Sequence, residues 1–132
     1  MTKTIKHGEE TIAIIIPAEF EKDGIEFFTP DDFSQQLAYM KRPAGHVIAS
    51  HVHNKVQRSV QYTLETLFIR KGKLRIDFYT RDKKYLESAV LKTGDVILLA
   101  SGGHGFEMLE TTEMIVVKQG PYSGTDSDKI HF

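Results

Sequence analysis

Residues 60–80 read VQYTLETLFIRKGKLRIDFYT, and this stretch decides the fold class that the sequence predicts. Its two halves, 60–70 and 74–80, are rich in β-branched and aromatic residues, which favour strands. The short basic segment 71–73, with a glycine at its centre, separates the halves as a tight hairpin turn would. The stretch therefore predicts two antiparallel strands, and its pattern recurs along the rest of the chain.

Short β-rich segments separated by turn residues follow one another at a spacing of about 8–12 residues, which is typical of an all-β sandwich or barrel. The predicted strands are 11–16, 25–28, 36–42, 46–53, 60–70, 74–80, 85–91, 95–100, 105–109 and 113–118. The Ile-rich segment 11–16 is typical of a strand buried on both faces or clamped at an interface. The segment 29–32, TPDD, predicts a helix start followed by one or two turns at most.

Length and composition limit the classes of protein to which this sequence can belong. The 132 residues suit one domain, predicted here to span 1–132 around a single core. The charges nearly cancel, with 17 basic and 18 acidic residues, so nucleic acid and anionic membranes are not expected partners. No apolar run approaches the roughly 20 residues of a membrane span, and the N-terminus resembles no targeting signal. We therefore expect a cytoplasmic protein whose partner is a small molecule.

A pair of histidines marks the first candidate site. The chain lacks cysteine, so a metal ion would need His, Asp or Glu ligands. On the predicted strand 46–53, His51 and His53 share a face and lie about 7 Å apart along the chain, close enough to meet at one cation. The alternative is a pair of histidines that hydrogen-bond to backbone or water, and the HxH spacing by itself leaves both open.

Two further side chains extend this site. Glu65 lies on the same side of its predicted strand as Leu67 and Ile69, and a carboxylate on a buried face requires a metal or a cationic partner such as lysine. His104 follows the turn 100–103 and shares a strand face with Phe106, although a histidine beside a turn is also a common surface residue. Phe106 is expected to line the pocket that such a site would face.

In order along the chain, these residues resemble the two sequence motifs of the cupin superfamily. The positions that carry the resemblance are Gly45, His51, His53, Glu65 and Gly72 for the first motif, and Gly94, Gly102 and His104 for the second. The sequence departs from the family pattern in the eleven residues between His53 and Glu65, in Ala100 at the position of a proline, and in Met108 at the position of an asparagine.

The resemblance implies a small single-domain cupin whose motif core spans about 45–108, folded as a double-stranded β-helix, the jelly-roll barrel of two antiparallel sheets. It also implies one divalent transition metal held by His51, His53, Glu65 and His104. Three imidazoles and one carboxylate suit iron, manganese, nickel, cobalt or zinc. A homodimer is expected, and the Ile-rich strand 11–16 could join the sheet of a partner.

The function expected from this resemblance is metal-dependent chemistry on a small oxygenated metabolite, related to sugars. Polarisation of a bound carbonyl would make an isomerase or epimerase, whereas an open iron site beside oxygen would make a dioxygenase. A carbohydrate-binding module without turnover is the third alternative. Gln57 and Arg58, in the loop 54–61, are candidate ligand contacts. The basic runs 70–75 and 81–84 are attributed to solvated turns.

Overall fold

The chain is all-β, as the sequence predicts. The structure, a computed structural model, describes residues 1–122, 124 and 128–132, and these contain strands and connecting segments but no helix. The ten strands are β1 Lys3–His7, β2 Glu10–Ile16, β3 Gly24–Phe27, β4 Ala38–Lys41, β5 Glu65–Lys71, β6 Lys73–Tyr79, β7 Tyr85–Lys92, β8 Val96–Leu99, β9 Gly103–Met108 and β10 Glu113–Lys118. Within the described residues, then, no helix is available that could cross a bilayer.

The chain divides into two compact units. Unit 1 comprises 1–20 and 62–132, and unit 2 comprises 21–61. Unit 1 holds a five-stranded sheet in the order β1-β2-β8-β5-β10 and a three-stranded sheet in the order β7-β6-β9. Unit 2 holds the pair β3-β4, and all pairings in both units are antiparallel. The sequence-based assignment of one domain over 1–132 stays a prediction.

Both sheets of unit 1 contribute to one hydrophobic core, because strand alternation places apolar side chains on the facing sides. On β6 the alternation is complete, with Leu74, Ile76 and Phe78 fully buried and the polar residues between them partly exposed. The core cluster consists of Ile5, Ile12, Ala13, Ile15, Leu67, Ile69, Leu74, Ile76, Phe78, Leu91, Ile97 and Leu99. This core fixes the positions of the strand ends, where the candidate site lies.

The Ile-rich strand β2 is buried on both faces, as predicted, since every residue from Ile12 to Ile16 is buried. It lies between β1 and β8, so both of its edges already have hydrogen-bonded neighbours in the same chain. Within this chain β2 therefore has no open edge for a partner strand, and the homodimer stays a prediction. Its isoleucines serve packing within the sheet.

The turn at Gly72 joins strands of different sheets and does not close a hairpin. β5 pairs with β8 and β10, whereas β6 pairs with β7 and β9. Gly72 has a φ of +104°, and a Cβ at this position would lie 2.7 Å from Thr112 Cα. The local sequence predicts the turn correctly, but the partners of the two strands depend on residues far along the chain.

Two predicted elements are absent from unit 2. Residues 46–53 form no strand, and every residue from 41 to 61 is exposed, so the alternation of this segment has no buried face to occupy. The predicted helix after Thr29 is replaced by a loop in which Gln36 accepts a hydrogen bond from the Thr29 hydroxyl at 2.8 Å and donates one to the Pro30 carbonyl at 2.9 Å. The side chain of Gln36 therefore provides hydrogen-bond partners for the Thr29 hydroxyl and the Pro30 carbonyl in a loop, without a helical turn.

The two edges of the five-stranded sheet differ in character. β1, at one edge, is not predicted from the sequence, because Ile5 is its only buried residue. Its exposed Lys3 and Lys6 are typical of edge strands that resist pairing with other chains. β10 at the other edge is apolar between Glu113 and Lys118. Its Ile115, Val116 and Val117 are 50%, 50% and 49% exposed.

A substitution at Gly72 tests the geometry of the turn between the two sheets. We expect Gly72→Ala to lower the free energy of unfolding by about 3 kcal/mol or more, since the new methyl group would meet backbone atoms of the β9–β10 connection. Urea denaturation followed by circular dichroism measures this change.

Gly8→Ala is the matched control, because Gly8 also has a positive φ, +60°, but has open space around the position of a Cβ. Its cost should be about 1 kcal/mol, the conformational penalty alone. Equal losses in the two variants would contradict the proposed crowding at Gly72.

Candidate functional site

Unit 1 contains a cavity of about 540 Å³ at one end of its sheets. Its walls come from the starts of β5 and β9, the end of β10, the turn after β6 and the chain near 130. The lining residues are Tyr62, Thr63, Glu65, Thr80, Arg81, Lys83, Ala100, Ser101, Gly102, Gly103, His104, Phe106, Lys118, Asp128, Lys129, Ile130, His131 and Phe132. Three residues selected from the sequence, Glu65, His104 and Phe106, thus line the same cavity.

A carboxylate and an imidazole form a pair inside this cavity. Glu65 is the first residue of β5, at the end of the inward row that continues with the buried Leu67 and Ile69. His104 is the second residue of β9. Its Nε2 atom lies 3.5 Å from Glu65 Oε1, and the side chains of His104 and Glu65 are 29% and 21% exposed. The carboxylate and the imidazole are therefore partly accessible from the cavity, and the rest of each side chain contacts protein.

The surroundings of Glu65 favour its ionised form. The imidazole of His104 is the largest influence, and it lowers the pKa of the Glu65 carboxyl below its usual value. Partial burial raises the pKa of Glu65, whereas the ammonium groups of Lys118 and Lys129 lower it, as His104 does. At neutral pH the site thus holds a stable negative charge beside a histidine ring.

Phe106 supports the orientation of this histidine. The rings of His104 and Phe106 lie parallel on the same face of β9, with centroids 5.5 Å apart and an angle of 25° between their planes. This stacking confirms that the two residues share a strand face, as alternation predicts. A contact of Phe106 with a substrate stays a prediction.

The chain near 130 forms one wall of the cavity. The Phe132 ring meets the Tyr79 ring edge to face, with centroids 5.0 Å apart. Gly103 leaves room for it, since a Cβ at that position would lie 2.8 Å from Phe132 Cζ. The Thr63 hydroxyl donates a hydrogen bond of 2.6 Å to Asp128. These contacts hold an aromatic wall against the strand that carries His104.

His51 and His53 belong to unit 2. Their ring centroids are 5.3 Å apart, and both side chains are exposed. His51 Nδ1 lies 2.9 Å from the Ala49 carbonyl, the backbone partner that the sequence analysis gave as the alternative to metal binding. Gln57 and Arg58, the candidate ligand contacts of the same unit, are also exposed.

The four predicted metal ligands therefore occur as two pairs, one in each unit. Among the residues that the structure describes, no group of three or more His, Asp or Glu side chains is arranged to hold a metal ion. The donor set at Glu65 and His104 is thus short of the ligands that a transition metal requires. The four-ligand site stays a prediction.

The sequence analysis missed the cationic residues of the cavity. Arg81 and Lys83, attributed to a solvated turn, lie in its wall together with Lys118 and Lys129. The Arg81 guanidinium carbon is 4.3 Å from the centre of the Tyr62 ring, and its Nη2 is 3.4 Å from Glu10 Oε2. The basic run 81–84 was the available signal, but only the fold shows that this turn borders the site.

Comparison of the chain with protein-family models, with curated proteins and with solved structures gave no match. No relative therefore supplies a function for the cavity. The chemistry of the cavity is therefore inferred from the side chains that line it.

The low pKa of Glu65 predicts a pH dependence of stability. Because the folded state binds the proton of this carboxyl less readily than the unfolded state, the stabilisation is present above the unfolded pKa, about 4.3, and is lost as pH falls through the folded value. We expect Glu65→Gln to flatten the fall in unfolding free energy on acidification from pH 6. Urea denaturation at a series of pH values measures this effect.

Glu110→Gln provides the control, since Glu110 is an exposed carboxylate outside the cavity. This variant should follow the acid profile of the unmodified protein. A Glu65→Gln profile that coincides with both would show that the imidazole does not stabilise the carboxylate.

The predicted metal site is tested by metal analysis of protein purified without added metal. The sequence-based assignment expects about one transition metal ion per chain and loss of that ion in both His51→Ala and Glu65→Ala. His7→Ala, at an exposed residue of β1, is the control that should keep it. Full metal content in the two ligand variants would show that the four-ligand assignment is wrong.

Proposed function

We propose that unit 1 binds a small oxygenated metabolite in its cavity and moves a proton on it, as an isomerase or epimerase does. The observation that carries this proposal is the pair Glu65 and His104, with 3.5 Å between carboxylate and imidazole, in a concave site that also offers aromatic and cationic contacts. A titratable pair of this kind in a cleft is a common arrangement for acid–base chemistry.

We assign different roles to the two members of the pair. A carboxylate with a lowered pKa is a weak base at neutral pH, so Glu65 is better suited to orient and stabilise the imidazole than to accept the proton. His104 directs Nε2 toward Glu65, and an N–H on Nε2 leaves the lone pair on Nδ1. His104 is therefore the general base, and Glu65 is a positioning residue. Their separation is at the outer limit of a hydrogen bond, and such contacts often shorten when substrate binds.

The proposed step is removal of a proton from a carbon next to a carbonyl group. Nδ1 of His104 takes the proton, the C–H electron pair forms a carbon–carbon double bond, and the carbonyl electrons move to oxygen, which gives an enolate, or an enediolate where the carbon carries a hydroxyl group. Lys118, opposite Glu65 across the β5–β10 ladder and in the cavity wall, supplies a positive charge for that oxygen. Protonation of the same carbon on its opposite face by solvent gives the epimer. Return of the proton from His104 to the former carbonyl carbon gives the isomer, as the proton of the neighbouring hydroxyl passes to the enediolate oxygen.

We also propose that the two sheets of unit 1 form the double-stranded β-helix of the cupin type. The chain passes from one sheet to the other between β5 and β6, between β7 and β8, between β8 and β9, and between β9 and β10. Repeated passage between two antiparallel sheets that share one core is characteristic of jelly rolls. The site then lies at one mouth of the fold, where strand ends and loops converge.

Hydrogen exchange tests the proposed step. Dihydroxyacetone and pyruvate, a simple hydroxy-ketone and a simple 2-oxo acid, are incubated with the protein in D2O, and loss of their C–H signals is followed by proton NMR. We expect exchange above the buffer rate, reduced by about 100-fold or more in His104→Gln and by a smaller factor in Glu65→Gln.

His7→Gln is the control for adventitious catalysis by a surface imidazole, since His7 is exposed on β1. It should exchange at the rate of the unmodified protein. Resonances of cavity residues that shift with these probes while no exchange occurs would favour the binding module without turnover. Exchange that is unchanged in His104→Gln would contradict the assignment of the base.

A further inference from the structure

The charge of the cavity wall indicates which metabolites the site accepts. Among the side chains of the described lining residues, four are Lys or Arg and two are Asp or Glu, so these six side chains have a formal excess of two positive charges. The cations are Arg81, Lys83, Lys118 and Lys129. The chain as a whole has a formal net charge of −1, so this excess is local to the cavity.

Both carboxylates of the cavity already have partners in the wall. Glu65 is paired with His104, and Asp128 accepts the hydrogen bond of the Thr63 hydroxyl. Two cations are also near Glu65, since Lys118 lies opposite it in the β5–β10 ladder and Lys129 lines the same cavity. With Glu10, which lies beside Arg81, three acids face four bases, so the wall retains a positive charge.

Arg81 is held in a defined orientation at the rim. Its guanidinium lies over the Tyr62 ring, with the central carbon 4.3 Å from the ring centre, and Nη2 is 3.4 Å from Glu10 Oε2. An arginine stacked on an aromatic face presents a planar set of donors that suits carboxylate and phosphate oxygens. At the rim, Arg81 thus offers hydrogen-bond donors of defined direction to an anion. The lysines add positive charge without a fixed direction.

We infer that the metabolite bound in this cavity is an anion, a sugar or hydroxy acid with a carboxylate or phosphate group held by Arg81 and Lys129. This inference rests on the proposed function, because it names the substrate class of the same site. The anionic group anchors the molecule at the cationic wall, and its carbonyl end reaches His104. The cavity volume of about 540 Å³ is sufficient for a molecule of this size.

Three matched sugars test the inference on the intact chain. D-galactose is neutral, D-galacturonate has a carboxylate in place of its primary alcohol, and D-galactose 6-phosphate has a phosphate on it. Their dissociation constants are measured by isothermal titration calorimetry and by NMR shifts of cavity residues. We expect at least one anion to bind about tenfold or more tightly than galactose, and the carboxylate and phosphate arms show which anion is preferred.

Two charge-removing variants locate the contact. Arg81→Gln and Lys129→Gln should each weaken binding of the preferred anion by about tenfold and leave galactose unchanged. Lys84→Gln is the matched control, since Lys84 is exposed on the same turn as Arg81 but is outside the set of residues that lines the cavity. It should bind the anion as the unmodified protein does.

Equal binding of the three sugars would overturn the inference, as would a loss in Lys84→Gln equal to that in Arg81→Gln. If binding is equal and hydrogen exchange still depends on His104, the inference is wrong and the proposed function stands. If none of the sugars shifts cavity resonances and exchange is independent of His104, both are wrong.

Discussion

The shared core of the two sheets is the constraint on which the rest of unit 1 depends. Leu67 and Ile69 on β5 and Phe78 on β6 are almost completely buried, so the inward rows of both sheets are fixed by packing. Glu65 occupies the position where the β5 row leaves the core. A carboxylate is tolerated there because the apolar packing ends at that residue and an imidazole lies beside it.

Much of unit 1 could be predicted from the sequence, because its strands have one face in the core. The alternation on β6 and the continuous burial of β2 follow from their side chains. The same reasoning failed for 46–53, where the alternation is present but the segment has no buried face. It also failed at Gly72, where the sequence predicts a hairpin. A turn sequence determines where the chain changes direction, but distant segments determine which strands pair.

The residues of the candidate site that lie on strands could be predicted from the alternation of side chains, whereas those on loops could not. Glu65, His104 and Phe106 reach one cavity because alternation on β5 and β9 directs them there. Arg81 lies beside the same cavity because of the turn that follows β6. A basic turn in solvent and a basic turn at a cavity rim have the same composition, so only the tertiary structure distinguishes them.

The contrast between the sheet edges has a consequence for the behaviour of the protein at high concentration. An open edge of half-exposed β-branched side chains is a template on which strands of other molecules can add. β10 has such an edge between Glu113 and Lys118, whereas Lys3 and Lys6 on β1 oppose addition at the other side. Self-association into fibrous or amorphous aggregates would therefore begin at one margin of the sheet, and a lysine placed at the centre of β10 would act as a gatekeeper against it.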